Sequence, residues 1–206
     1  MNSRAFSWSL RGLILVFAVG VGTLAQGQKP VLFGGIINDF TPVHDGKGNA
    51  SGPWELHGNW QVHLKGDSGF ANFSATLTME DSDYWLVITP NPPANPDAPA
   101  TRTPHTHHIT MENAQVTWLD STNMGDCPTS SYVPATTTGF MVNGSAHVTG
   151  NGGFPPFAPQ GQPSPLQVCI TGGMLEEFSN ITLVFGAPAS GHFGLQPING
   201  AVRMRK

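Results

Sequence analysis

Apolar and polar side chains alternate with a period of two along much of the chain. In WELHGNWQVHLK, the apolar positions are Trp54, Leu56, Trp60, Val62 and Leu64. The segment ANFSATLTM repeats the pattern with Ala71, Phe73, Ala75, Leu77 and Met79. Because successive side chains of a strand point to opposite faces, the pattern predicts half-buried β-strands. Gly58 predicts a kink or a turn within the first of these segments.

Several shorter segments extend this strand pattern to the end of the chain. They are YWLVIT, QVTWL, GFMVNGSAHVT, LQVCIT, NITLVF and INGAVRM. Helical periodicity is confined to GGMLEEF at 172–178. The 25 glycines and 18 prolines suit many strands joined by turns. The sequence therefore predicts an all-β protein of about eight to ten antiparallel strands, as a β-barrel or a two-layer β-sandwich.

Residues 1–25 have the features of a secretory signal peptide. Arg4 and Arg11 give a positive start, residues 12–24 are apolar, and small residues favour cleavage after Ala25. The apolar run is shorter than the about 20 residues that a membrane-spanning helix needs. We therefore expect a secreted or periplasmic protein in which residues 26–206 form a single all-β domain. No later segment is apolar enough to suggest a membrane span.

Charge and cysteine usage narrow the class further. Only 11% of the residues are charged and the net charge is −4, which excludes a nucleic-acid binder with a basic stripe. The chain has two cysteines, Cys127 and Cys169, and neither lies in a CxxC or zinc-finger spacing. An even pair in an exported chain predicts a disulfide between them.

The segment TPHTHHIT contains three histidines in four positions, His105, His107 and His108. On a strand, His105 and His107 share one face and His108 lies on the other. Two imidazoles at this spacing can chelate one divalent ion, and imidazole suits zinc, iron, copper and nickel. A third ligand must come from elsewhere, and the candidates are His57, His63, His147 and His192. The alternative interpretation is a polar strand face without a metal. Because a ligand histidine must be neutral, we expect any bound metal to be lost below about pH 6.

His105-Thr106-His107, followed after four residues by Glu112, resembles the first motif of the cupin family, although that motif's flanking glycines are absent. In GAPASGHFGLQPIN, His192 stands in place of the second cupin motif, at a different spacing. The resemblance implies a β-sandwich that binds one divalent metal ion through His105, His107, Glu112 and His192. A competing interpretation makes TMENAQVTW a hairpin that turns at Glu112 and Asn113, which would leave the Glu112 carboxylate in solvent.

The sequence favours a binding protein over an enzyme. It contains no Gly-x-Ser-x-Gly elbow, phosphate loop or HExxH helix, so no catalytic residue is assigned. The stretch from Gly58 to Trp60 resembles the Gly-x-Trp motif of lipocalins, and a small antiparallel barrel can hold one apolar ligand. We expect an exported, non-enzymatic protein that binds an apolar small molecule or a surface protein. The alternatives are a cupin-like metal-dependent enzyme and a structural module of the cell envelope.

Overall fold

The structure is a computed structural model that describes residues 29–41, 54–81, 104–120, 122, 123, 125, 127, 138–151, 158, 160–172 and 180–206. The predicted signal peptide, the strand YWLVIT and most of the predicted helix GGMLEEF lie outside these residues. Within them, no helix combines the length and the apolar character needed to cross a bilayer.

The described residues form eight antiparallel strands that close into a barrel in sequence order. The strands are β1 (Val31–Thr41), β2 (Trp54–Leu64), β3 (Phe70–Asp81), β4 (His105–Leu119), β5 (Gly139–Gly150), β6 (Ser164–Thr171), β7 (Asn180–Phe185) and β8 (Ile198–Arg205). Each strand pairs with the next, and β8 returns to pair with β1. The all-β prediction is confirmed, and the architecture is the barrel. The β-sandwich implied by the cupin resemblance is wrong, because the β1–β8 pairing closes one continuous sheet.

The alternating pattern separates an apolar interior from a polar outer surface. All ten apolar positions predicted in β2 and β3 are buried. The interior is filled by large side chains that are almost fully buried, including Trp60, Phe73, Phe140, Phe193, Leu56, Leu77, Met79, Ile109 and Met111. Burial of each such side chain stabilises the fold by about 1.5–3 kcal/mol. The core therefore lies inside the barrel, and most polar side chains of these strands face outward.

The sequence allowed a turn at two positions, and the strands continue through both of them. At Gly58, an added Cβ would lie 2.0 Å from the carbonyl oxygen of Thr76, so glycine permits close approach of β3. At Glu112 and Asn113 the register shifts and Asn113 adopts a φ of 50°, which makes a bulge within β4. The Asn113 N–H donates to Oδ1 of Asn72 at 3.0 Å. The predicted hairpin is wrong because β4 continues from His105 to Leu119 through this bulge, which the Asn72 side chain holds against β3.

The seam between β1 and β8 closes the barrel, and β1 is a strand that the sequence pattern did not predict. At one end of the seam, Leu32 and Lys206 exchange backbone hydrogen bonds of 2.8 and 2.9 Å. Towards the other side, the Asp39 carboxylate accepts hydrogen bonds from the backbone N–H and the side-chain amide of Asn199, at 2.6 and 3.1 Å. The seam thus has polar contacts near both of its ends.

The barrel has two different ends. At the histidine end, β3 finishes, β4 begins at His105, and a short helix α1 (Ser190–Phe193) connects β7 to β8. At the disulfide end, β4 finishes and β5 begins.

The predicted disulfide is present at this second end. It joins Cys127 and Cys169, with a Cα–Cα distance of 6.0 Å. Together with Leu119 and Met141, the cysteines form a small buried cluster separate from the barrel interior. Such a bond is consistent with an oxidising, extracytoplasmic location.

Candidate metal centre

The first residues of β4 carry two imidazoles into the apolar interior. His105 pairs with Met79 and His107 with Leu77 across the β3–β4 ladder, and both partners are fully buried. Paired residues share a face of the sheet, so these histidines point into the barrel. The His107 side chain is only 3% exposed. His108 lies on the outer face, where its Nδ1 is 3.2 Å from the Thr76 hydroxyl.

The third imidazole comes from α1, far away in sequence. The backbone N–H of Ala189, just before the helix, donates to the buried Ser164 hydroxyl at 3.1 Å. Phe193 is fully buried and stacks on Phe185, with ring centroids 4.5 Å apart. These contacts fix α1 at the histidine end, because one face of the helix is anchored in the core. His192, adjacent to Phe193, is thereby brought to the two histidines of β4.

The Nε2 atom of His192 lies close to the Nε2 atoms of both strand histidines. Nε2 of His192 lies 2.9 Å from Nε2 of His107 and 3.2 Å from Nε2 of His105. One nitrogen from each ring can be chosen so that all three lie within 4.8 Å of one another. With zinc–nitrogen bonds of 2.0–2.1 Å, two ligand nitrogens lie about 2.9 Å apart when the N–Zn–N angle is a right angle. They lie about 3.3 Å apart when that angle is tetrahedral. The spacing therefore fits a group that could hold a metal ion.

Burial keeps two of these imidazoles neutral. Desolvation, followed by the neighbouring His105, lowers the pKa of His107 to about 4, although a hydrogen bond with the Thr149 backbone acts in the opposite direction. Desolvation, followed by His107 and then His105, lowers the pKa of His192 to about 3. Both rings are thus neutral at pH 7, which is the state that binds metals.

Aromatic side chains surround the histidine group. The Phe193 ring lies 5.1 Å from the ring of His107 and 5.2 Å from that of His192, centroid to centroid. The Trp54 ring lies 5.7 Å from that of His105 in an edge-on arrangement. The Trp54 indole N–H is buried and has no hydrogen-bond acceptor among the described residues. These rings pack against the imidazoles and reduce their contact with water, which strengthens electrostatic interactions on the buried side of the site.

The structure brings together three of the four predicted metal ligands, namely His105, His107 and His192. It does not bring Glu112 to them, because that side chain is exposed beside the bulge in β4. Among the other candidates, His63 and His147 are exposed, and the His57 side chain contacts Glu55 at 3.0 Å. The predicted pair at i and i+2 is therefore the nucleus of the group, completed by the histidine of α1.

Comparison of the chain with models of protein families, with curated proteins and with solved structures finds no match. A fold alone does not define a function, so the function must be argued from the site.

Proposed function

We propose that this protein is an exported β-barrel that binds one divalent transition-metal ion through His105, His107 and His192. The observation that carries the proposal is the close approach of the three imidazoles, with Nε2 contacts of 2.9 and 3.2 Å at His192 and one nitrogen of each ring within 4.8 Å of the others. The lowered pKa values of His107 and His192 support it, since neither ring must lose a proton at pH 7 before it binds a metal.

A metal ion suits this arrangement better than hydrogen bonding alone. A neutral imidazole has one N–H donor and one acceptor nitrogen, so a contact between two Nε2 atoms needs one of them to donate. A metal ion instead accepts the lone pairs of all three Nε2 atoms at once. Imidazole ligands suit zinc, copper, iron and nickel, which are the ions to be tested.

The number of protein ligands supports an open centre. Structural zinc sites have four protein ligands, whereas catalytic zinc sites have three and leave one position for water or substrate. The described residues supply three. A centre with three protein ligands favours a metal-dependent protein, which the sequence analysis gave as an alternative to a non-enzymatic binding protein. Binding of an apolar molecule stays a prediction with less support, because large side chains fill the described interior.

Metal reconstitution tests the proposal directly. The full chain is treated with a chelator, supplied separately with Zn²⁺, Cu²⁺, Ni²⁺ or Fe²⁺, dialysed and subjected to elemental analysis. We expect one ion per chain for at least one metal. The double variant His105→Ala/His107→Ala and the single variant His192→Ala should lose it, because each removes ligand nitrogens from the group.

His108→Ala is the matched control. His108 belongs to the same strand but lies on the outer face, so its variant should retain the metal. Circular dichroism shows whether each variant keeps the β fold. The proposal is wrong if the wild-type protein retains no stoichiometric metal, or if His192→Ala retains it as well as His108→Ala does.

A further inference from the structure

We infer that the open position of the histidine centre takes a small anion from solution. This inference rests on the proposed function and specifies its ligand: a carboxylate or an inorganic anion of a few atoms. It follows from the charge of the centre, from the positions of the nearest described carboxylates and from the side chains that surround the group.

The charge of the centre favours an anion. Three neutral imidazoles leave both positive charges of a divalent ion uncompensated. His107 is 3% exposed, and the rings of Phe193 and Trp54 lie beside the group, so the charge would be poorly solvated. A buried charge is unfavourable unless an opposite charge pairs with it. An anionic fourth ligand reduces the net charge, whereas a neutral ligand does not.

The described carboxylates near this end are engaged elsewhere or exposed. Asp39 accepts two hydrogen bonds from Asn199 at the β1–β8 seam. Glu55 contacts His57 at 3.0 Å, and the Glu80 side chain is exposed. Among the described residues, the metal-ligand group contains histidines alone. The anion must therefore come from solution, or from an aspartate whose side chain lies outside the described part of the chain, namely Asp81 at the end of β3, or Asp45, Asp83 and Asp97 in the two connecting segments.

The surroundings leave one side of the group open to solvent and supply one hydrogen-bond donor to the anion. His105 and His192 are partly exposed, so solvent reaches the group from their side. Trp54 is 6% exposed, its ring lies next to His105, and its indole N–H has no acceptor among the described residues. An anion can supply the acceptor that this N–H lacks. A small carboxylate fits best, because its oxygens can bind the metal and accept this bond.

Cobalt provides a spectroscopic test. The full chain is loaded with Co²⁺, its metal content is measured, and its visible absorption is followed during addition of acetate, bicarbonate or azide. We expect a saturable change that fits one anion per metal. Acetamide, the neutral counterpart of acetate, should produce no comparable change, because it leaves the charge of the centre unaltered.

Two tryptophan variants test the donor. Trp54→Phe retains an aromatic ring but removes the N–H, and should weaken acetate binding about tenfold, as loss of a hydrogen bond to a charged group does. Trp60→Phe is the matched control, because Trp60 also has a buried indole N–H without a described acceptor. Trp60 pairs with Ala75, whereas His105 pairs with Met79, further along β3 towards the histidine end. Both variants should keep full cobalt content. Equal acetate affinity in the two would contradict the role of the Trp54 N–H.

The outcomes separate this inference from the proposed function. A chain that retains no cobalt, zinc, copper, nickel or iron contradicts the metal proposal itself. A chain that retains cobalt but shows no response to any of the anions overturns the inference. A response that appears only in the quadruple variant Asp45→Asn/Asp81→Asn/Asp83→Asn/Asp97→Asn also overturns it, since the chain would then supply its own anionic ligand.

Discussion

The two ends of the barrel are held by different chemistry. At the disulfide end, the bond between Cys127 and Cys169 ties the β4–β5 connection to β6. At the histidine end, α1 is anchored through Phe193 and Ala189, and three imidazoles meet inside the barrel. The first cross-link is covalent and insensitive to mild acid. The second depends on protonation and, in the proposed function, on a metal ion.

This difference separates stability from function. Among the described residues, the disulfide belongs to a small cluster that is separate from the large core around the histidine group. Sites that share no partners have nearly additive effects on the free energy of unfolding. A change at the disulfide end should therefore leave metal binding intact, and a change at the histidine end should leave the stabilisation by the disulfide intact.

The largest effect is expected from removal of the disulfide. The double variant Cys127→Ala/Cys169→Ala should lower the free energy of unfolding by about 4 kcal/mol, because the bond closes a long loop in the unfolded chain. The two cysteines are 42 positions apart. Urea denaturation of the oxidised wild type and the variant measures the loss. Metal content per folded chain should be unchanged, and its disappearance would show that the ends are coupled.

The next effect is stabilisation by metal. A free ion concentration 100 times the Kd should raise the free energy of unfolding by about 2.7 kcal/mol, provided that the unfolded chain does not bind the ion. Thermal or urea denaturation with and without Zn²⁺ measures the gain. His192→Ala should show no gain, while the double cysteine variant should gain as much as the wild type. A gain that survives in His192→Ala would place the ion elsewhere.

Acid should destabilise the metal-free protein through the histidine end. Unfolding returns His107 and His192 to the ordinary pKa of 6.5 from folded values of about 4 and 3. Below pH 6.5 the unfolded chain binds protons that the folded chain does not, so the free energy of unfolding falls with decreasing pH. The slope approaches about 1.4 kcal/mol per pH unit for each group and levels off below the folded pKa values.

Urea denaturation of the metal-free protein at several pH values measures this slope. The variant His107→Gln should have a shallower slope between pH 6.5 and the folded pKa of about 4. The same pKa values alter the expectation from sequence that metal is lost below about pH 6. Protons compete with the ion for His107 and His192 only nearer these folded values, so these two ligands should stay available to the metal at lower pH. Equal slopes in His107→Gln and wild type would contradict the assigned burial of His107.

The smallest effect is expected from the outer face of β4. His108→Ala removes a contact of 3.2 Å with the Thr76 hydroxyl on an exposed surface. Such surface changes usually alter the free energy of unfolding by no more than about 0.5 kcal/mol. Denaturation in the presence and absence of metal checks this value. A larger loss seen only with metal present would mean that His108 supports the centre.

Much of the fold could be predicted because a half-buried strand has a readable pattern. The strands β2 and β3 alternate cleanly, and their predicted apolar sides are the sides that face the core. The pattern could not distinguish a barrel from a sandwich, since both bury one face of each strand. It also missed β1, where Gly34 and Gly35 interrupt the alternation in VLFGGIINDFT.

The candidate site could be predicted only in part. The spacing of His105 and His107 indicated a shared face, because the period of a strand is fixed by its geometry. His192 was among several candidates for a third ligand, and the cupin resemblance pointed to it. Its position depends on α1 and on the stacking of Phe193 and Phe185, which no local pattern reveals. The same resemblance pointed to Glu112, whose strand neighbour Asn113 instead forms a bulge away from the group.

The paired backbone of Leu32 and Lys206 has a practical consequence for handling this protein. Their two hydrogen bonds place both ends of the described barrel side by side at the disulfide end. The histidine group lies at the opposite end, where β4 begins. A tag, a fusion partner or a solid support joined before β1 or after β8 would therefore be attached at the disulfide end of the barrel. Immobilised protein would present the histidine end to the solution, so the metal binding of the proposed function could be measured on a surface.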